Sequence, residues 1–168
     1  MTRNHSKQQT WYSPARHVEP DEYRALDKIE HPDLRALFGL WTTRRGERPM
    51  PERSEIRPHD MKRYLSRVHL YEVLDGGRDF RCTLQGSGLD FRRTVSTGQL
   101  LSQVENDVTR TRFTEILTKV TQTRAPVHIQ INYPISVENV QFSRLEALWL
   151  PLGKDSKVQH VLACLQAE

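Results

Sequence analysis

Two cysteines, seven histidines and one Gly-Ser-Gly triplet are the residues of this chain whose types and spacing bear most directly on chemistry. A protein metal site needs Cys or His at short spacing, such as Cys-x2-Cys or His-x3-His, and neither pattern occurs. Cys82 and Cys164 each fall inside an alternating apolar segment, where a free cysteine behaves as a small buried hydrophobe. His128 and His160 also fall in strand-like segments and read as hydrogen-bonded sheet histidines. Gly86-Ser87-Gly88 follows a strand and could offer backbone amides to an anion. Phe91, however, stands where a dinucleotide fingerprint needs its third glycine, and no Gly-Lys-Ser/Thr appears. Ser87 lacks the Gly-x-Ser-x-Gly setting of an activated nucleophile. The triplet is therefore read as a strand-ending turn, and the chain is expected not to be an enzyme.

The charge is local. Of a formal net charge of +4, all is accounted for between residues 44 and 67, where Arg44, Arg45, Arg48, Arg53, Arg57, Lys62, Arg63 and Arg67 face Glu47, Glu52, Glu55 and Asp60. Arg44, Arg45 and Arg48 form a candidate basic surface. The cations are interleaved with acids and lack aromatic residues that would stack on bases, so a solvated loop or an acidic protein partner suits them better than nucleic acid.

At 168 residues, with 36% hydrophobic and 27% charged residues, the chain has room for one core and a highly charged surface. No apolar run reaches the ~18 residues that a membrane helix needs, and the N-terminus lacks the apolar middle of a signal peptide. A cytoplasmic protein is expected. Residues 1–19 read as a mobile tail in which Trp11 and Tyr12 are the large apolar side chains. Residues 20–66 read as an N-terminal helical segment and basic connector. Pro32 and Asp33 suit a first helical turn, Leu34, Leu37, Phe38 and Trp41 share one stripe, and Gly46 ends the helix. A short helix follows from Pro58.

Residues 67–168 read as the core. Val68–Leu74 and Asp79–Gln85 form a hairpin around Asp75-Gly76-Gly77, with Phe80, Cys82 and Leu84 alternating with Arg81, Thr83 and Gln85. A helix over about Thr109–Thr121 carries Phe113, Ile116, Leu117 and Val120 on one face. Three more strands follow: one with Val127, Ile129, Ile131 and Tyr133 alternating with His128, Gln130 and Asn132, then Phe142–Leu152 and Val158–Gln166. The class is α+β, a five-stranded antiparallel sheet with helices on one face and an N-terminal flanking helix.

This order is also that of the PAS fold, and the likeness becomes specific at particular residues. Leu148-Trp149-Leu150-Pro151-Leu152, a polar turn and the apolar strand after it resemble the last hairpin of PAS domains. Trp41, Arg45-Gly46, Met50-Pro51-Glu52-Arg53 and Glu55-Ile56-Arg57-Pro58 resemble the lead-in of a bacterial family of short stand-alone PAS-like proteins of largely unknown function. Asp79-Phe80-Arg81, Gly86 and Thr97-Gly98 match its later positions. The segment Gly86–Ser96 departs from the pattern, having few of the apolar residues usual for the first helix after strand two.

The resemblance implies cofactors that can be looked for. Flavin photoreceptors of this fold carry a reactive Cys on a helix, whereas Cys82 lies in an alternating strand. Haem-binding members use a His on the central helix, and Thr109–Thr121 holds none. Flavin and haem are thus disfavoured, and no cofactor is expected. Phe113, Leu117, Ile129 and Ile131 are candidates to line an apolar cavity for an unidentified small ligand. PAS domains commonly dimerise through an N-terminal helix, which makes Leu34, Leu37, Phe38 and Trp41 the candidate homodimer surface. Because the chain stops soon after Gln166, with no output domain, it is expected to act in trans on a signalling protein such as a histidine kinase. A small-molecule receptor is the alternative, and nucleic-acid binding through the basic connector is a weaker one.

Overall fold

The structure is a computed structural model that describes residues 21–87, 95–134 and 142–167. Trp11, Tyr12, Gly88 and Phe91 lie outside the described residues. Six strands, β1 (Glu22–Arg24), β2 (Val68–Leu74), β3 (Asp79–Gln85), β4 (Val127–Pro134), β5 (Phe142–Lys154) and β6 (Lys157–Ala167), form one antiparallel sheet in the order β1-β4-β5-β6-β2-β3. Two α-helices, α1 (Pro32–Arg45) and α2 (Asp107–Thr123), pack on opposite faces of it. The sixth strand, β1, adds a short edge beside β4 that the sequence pattern did not announce.

Local sequence explains the elements. Helix α1 starts with His31, whose Nδ1 accepts the Asp33 amide at 3.1 Å, and has proline in its first turn; Gly46, at φ 59°, stops it. Asn106 caps α2 by accepting the Thr109 amide at 3.0 Å, and Arg124 closes it in the left-handed region. The β2–β3 turn places Asp75, Gly76 and Gly77 at positive φ, and the β5–β6 hairpin turns on Asp155 and Ser156, both also at positive φ.

Gly86 has a different reason for being glycine. Its amide donates to the Val68 carbonyl at 2.8 Å, and an added Cβ would sit 2.1 Å from the Ser66 carbonyl oxygen. Close backbone approach within the fold accounts for this glycine without any bound anion.

The chain crosses the sheet once on each face. After β3 it returns over the inner face through α2 to reach β4 on the far side. Helix α2 lays Phe113, Ile116, Leu117 and Val120 onto the sheet, all buried. At the centre Trp149 stacks on Tyr71 (centroids 5.9 Å apart) and takes the edge of Phe113 (5.5 Å, 70°).

Helix α1 covers the outer face, with Leu34, Leu37 and Trp41 buried and the Trp41 indole donating to the Pro151 carbonyl at 2.9 Å. The segment after α1, expected to be a loose connector, is sewn into the same core by Met50, Ile56 and Met61 and by the Gly153 amide donating to the Pro51 carbonyl.

Candidate functional site

The two faces of the sheet offer two kinds of site. On the inner face, the cavity candidates Phe113 and Leu117 on α2 and Ile129 and Ile131 on β4 are part of the hydrophobic core. All four are buried, and Phe113 packs edge-on against Trp149. The Trp149 indole nitrogen is itself buried without a hydrogen-bond partner among the described residues, a condition that costs about 1–3 kcal/mol. His69, on the same face, is pushed down to about 4 by burial and stays neutral at physiological pH.

The cysteines divide between the faces, Cys82 inside and Cys164 outside. Burial raises their thiols to about 11 and about 12, so neither is a ready nucleophile. Among the described residues no group of three His, Cys, Asp or Glu is placed to hold a metal ion.

The outer face holds a buried polar cluster that sequence reasoning did not assemble. His128 on β4 and Glu146 on β5 meet at 3.0 Å with side chains 0% and 2% exposed. Glu146 also accepts the backbone amides of Glu30 at 2.9 Å and His31 at 2.7 Å, and the other His128 nitrogen faces the Ala25 carbonyl at 2.9 Å. Burial would raise the Glu146 carboxyl, but the two amides and the histidine outweigh it and hold the group below the ordinary carboxylate range. Both His128 nitrogens thus face oxygen atoms of other segments. The cluster pins the lead-in of α1 to the sheet. One acid alone in the apolar run Leu145–Leu152 was the available signal for it, since a buried charge demands partners.

Elsewhere on the outer face a groove of about 510 Å³ opens over β2, β3 and β6. Its floor includes Leu70, Leu84 and Leu162; Ile56 and Met61 wall one side, and Arg53, Arg57 and His160 stand at its rim. Leu84 corrects the expected alternation of β3. The register shifts between Leu70 and Tyr71, so that Tyr71 pairs with Cys82 while Leu70 pairs with Leu84. This bulge at Thr83 turns Leu84 to the outer face, where it is 38% exposed.

The candidate dimer stripe is also corrected. Leu34, Leu37 and Trp41 are spent on the chain's own sheet, and Phe38 is half-buried, stacked on Trp41 at 6.2 Å. A helix exposing a Trp and a Phe to a partner is not what the packing leaves.

The basic surface is internally committed: Arg44 faces Asp60 at 3.5 Å, Arg48 grips Glu55 with both terminal nitrogens at 2.9 and 2.7 Å, and the Arg45 guanidinium lies 5.3 Å over the Trp41 ring.

A family model described as a PAS domain matches residues 29–166, from just before α1 almost to the end of β6. The chain belongs to the PAS domain family. A search of curated proteins and of solved structures finds no match. This PAS domain is accordingly placed among sensory and regulatory modules, with α1 and the basic segment inside the matched region. No helix among its described residues is long and apolar enough to cross a membrane.

Proposed function

We propose that this PAS domain is a non-catalytic regulatory module of the cytoplasm that acts in trans by binding a signalling protein such as a histidine kinase. The observation that carries the reading is the match to a sensory family over nearly every described element, joined to an open apolar groove on the outer face. The thiols are buried and protonated, and the buried His–Glu pair is consumed in holding α1, so the chemistry at hand serves structure. A homodimer through the Leu34–Trp41 stripe is no part of the proposal, because that stripe is already buried. Cross-linking capture from the source cell, with the recovered proteins identified by mass spectrometry, tests it. Histidine kinases or related regulators are expected, and recovery of chaperones and ribosomal proteins alone would sink it.

A second reading is a small-molecule receptor on the inner face. It is favoured by the buried Trp149 indole N–H, a donor with no partner among the described residues, on the face that also carries Phe113, Leu117, Ile129 and Ile131. Native mass spectrometry of the purified protein decides it: a retained compound that is lost in Trp149→Phe supports the receptor, and a bare mass together with a melting temperature unmoved by a metabolite panel removes it.

A further inference from the structure

The outer-face groove has a floor, a rim and an unbalanced charge. Its floor is Leu84, turned to solvent by the bulge in β3, over the buried Leu70 and Leu162. In the basic segment that borders it, Glu55 and Asp60 are already taken. Glu55 is held by Arg48, and Asp60 is shared by Arg44 and Arg57. Glu52, at the rim, lies 4.0 Å from Lys154. Arg53 alone of the rim arginines has no carboxylate within ion-pair distance among the described residues, and its positive field helps to push His160 below the ordinary histidine value, after burial and against Glu72. An occupant that brings a carboxylate to Arg53 and an apolar group to Leu84 would complete both.

We propose that this groove binds an acidic segment of the partner protein, with one large apolar side chain seated on Leu70, Leu84 and Leu162 and an Asp or Glu beside it facing Arg53 and Arg57. The size lies within the roughly 300–1,000 Å³ of ligand sites, and the groove is open to solvent and not an enclosed cavity. Recognition is through side chains and not by strand addition. The free edge of β3 is already occupied where the Cys82 amide donates to the Gln99 carbonyl and the Gly98 amide to the Cys82 carbonyl. An apolar anchor ringed by opposite charge is the usual composition of a protein-binding hot spot.

The proposal rests on the trans reading, and its test separates the two. Random twelve-residue peptides displayed on phage are selected against the full chain, and the winners are titrated calorimetrically into the wild type, Arg53→Glu, Leu84→Asn and, as a control, Arg78→Glu. Enrichment of Asp or Glu next to Leu, Phe or Trp is expected, with affinity about tenfold weaker in the first two variants and unchanged in the control. Unchanged melting temperatures show that the variants are folded. Winners without acidic residues, or affinities indifferent to both substitutions, overturn the proposal. So does decanoate that binds in an Arg53-dependent way while no acidic peptide is enriched, which would make the groove a site for a small amphipathic carboxylate. A captured signalling partner whose recovery ignores both variants overturns the groove and leaves the trans reading standing. Acidic peptides that need Arg53 and Leu84, with no signalling partner captured, support the groove and remove the trans reading.

Discussion

The inner and outer faces of one sheet are built from neighbouring residues of the same strands, yet they are closed in different ways. The inner face is sealed by a single amphipathic helix over an aromatic stack, with apolar burial as its main source of stability. The outer face is sealed only in part, by α1 and a polar cluster that fixes its start, and it leaves a groove elsewhere. Non-directional apolar contact favours filling the space between helix and sheet, whereas a cover held at one end by directional hydrogen bonds can stop short of the sheet's edge.

The largest expected effect is on the inner face. Trp149→Ala removes the ring shared by Tyr71 and Phe113 and should cost about 4 kcal/mol in urea unfolding. Trp149→Phe should cost much less, because the indole N–H it removes has no partner to lose. On the outer face Glu146→Ala leaves His128 and two backbone amides without their acceptor and should cost about 3 kcal/mol. It should also speed hydrogen exchange at the Glu30 and His31 amides. Exchange that stays slow there would show that the cluster does not hold α1.

Acid separates the faces further. His69 falls from 6.5 to about 4 in the folded state, so the unfolded chain binds its proton first. The stability it contributes is complete above pH 6.5 and is lost as pH drops toward about 4, a total of about 3 kcal/mol at about 1.4 kcal/mol per pH unit. The Glu146 contribution is present above the ordinary carboxylate value of 4.5 and is lost only as pH falls through its lowered folded value. Stability curves between pH 7 and 4 should therefore flatten in His69→Leu and keep their slope in Glu146→Gln. The smallest effect is predicted at Leu84, where Leu84→Asn should change stability by less than about 0.5 kcal/mol, since the side chain is substantially exposed.

Much of the inner face could be read from the sequence. The hairpin limits of β2 and β3, the stripe of α2 and the buried Ile129 and Ile131 of β4 follow from periods of 2 and 3.6 that act over short distances. The outer face was less legible because its features are non-local. The α1 stripe announced an apolar face without naming what it meets, and Leu34, Leu37 and Trp41 proved to meet the chain's own β5 side of the sheet. The three residues of β1 carry no period, and their pairing with β4 is set more than a hundred positions away. The groove draws on several separate segments. Its key residue, Leu84, was assigned to the wrong face because a bulge breaks the alternation that strand reading assumes.

That bulge has a genetic consequence. Thr83, whose hydroxyl donates to the Leu70 carbonyl at 3.2 Å, is the residue by which β3 is one longer than the stretch of β2 it accompanies. Loss of that one codon would remove the extra residue while keeping Cys82 opposite Tyr71 and Leu84 opposite Leu70, so Leu84 would stay on the outer face and remain open to carbene labelling. The floor of the groove is thus indifferent to deletion at this point, whereas a substitution that let Thr83 itself pair with Leu70 would move Leu84 opposite His69 and turn it inward.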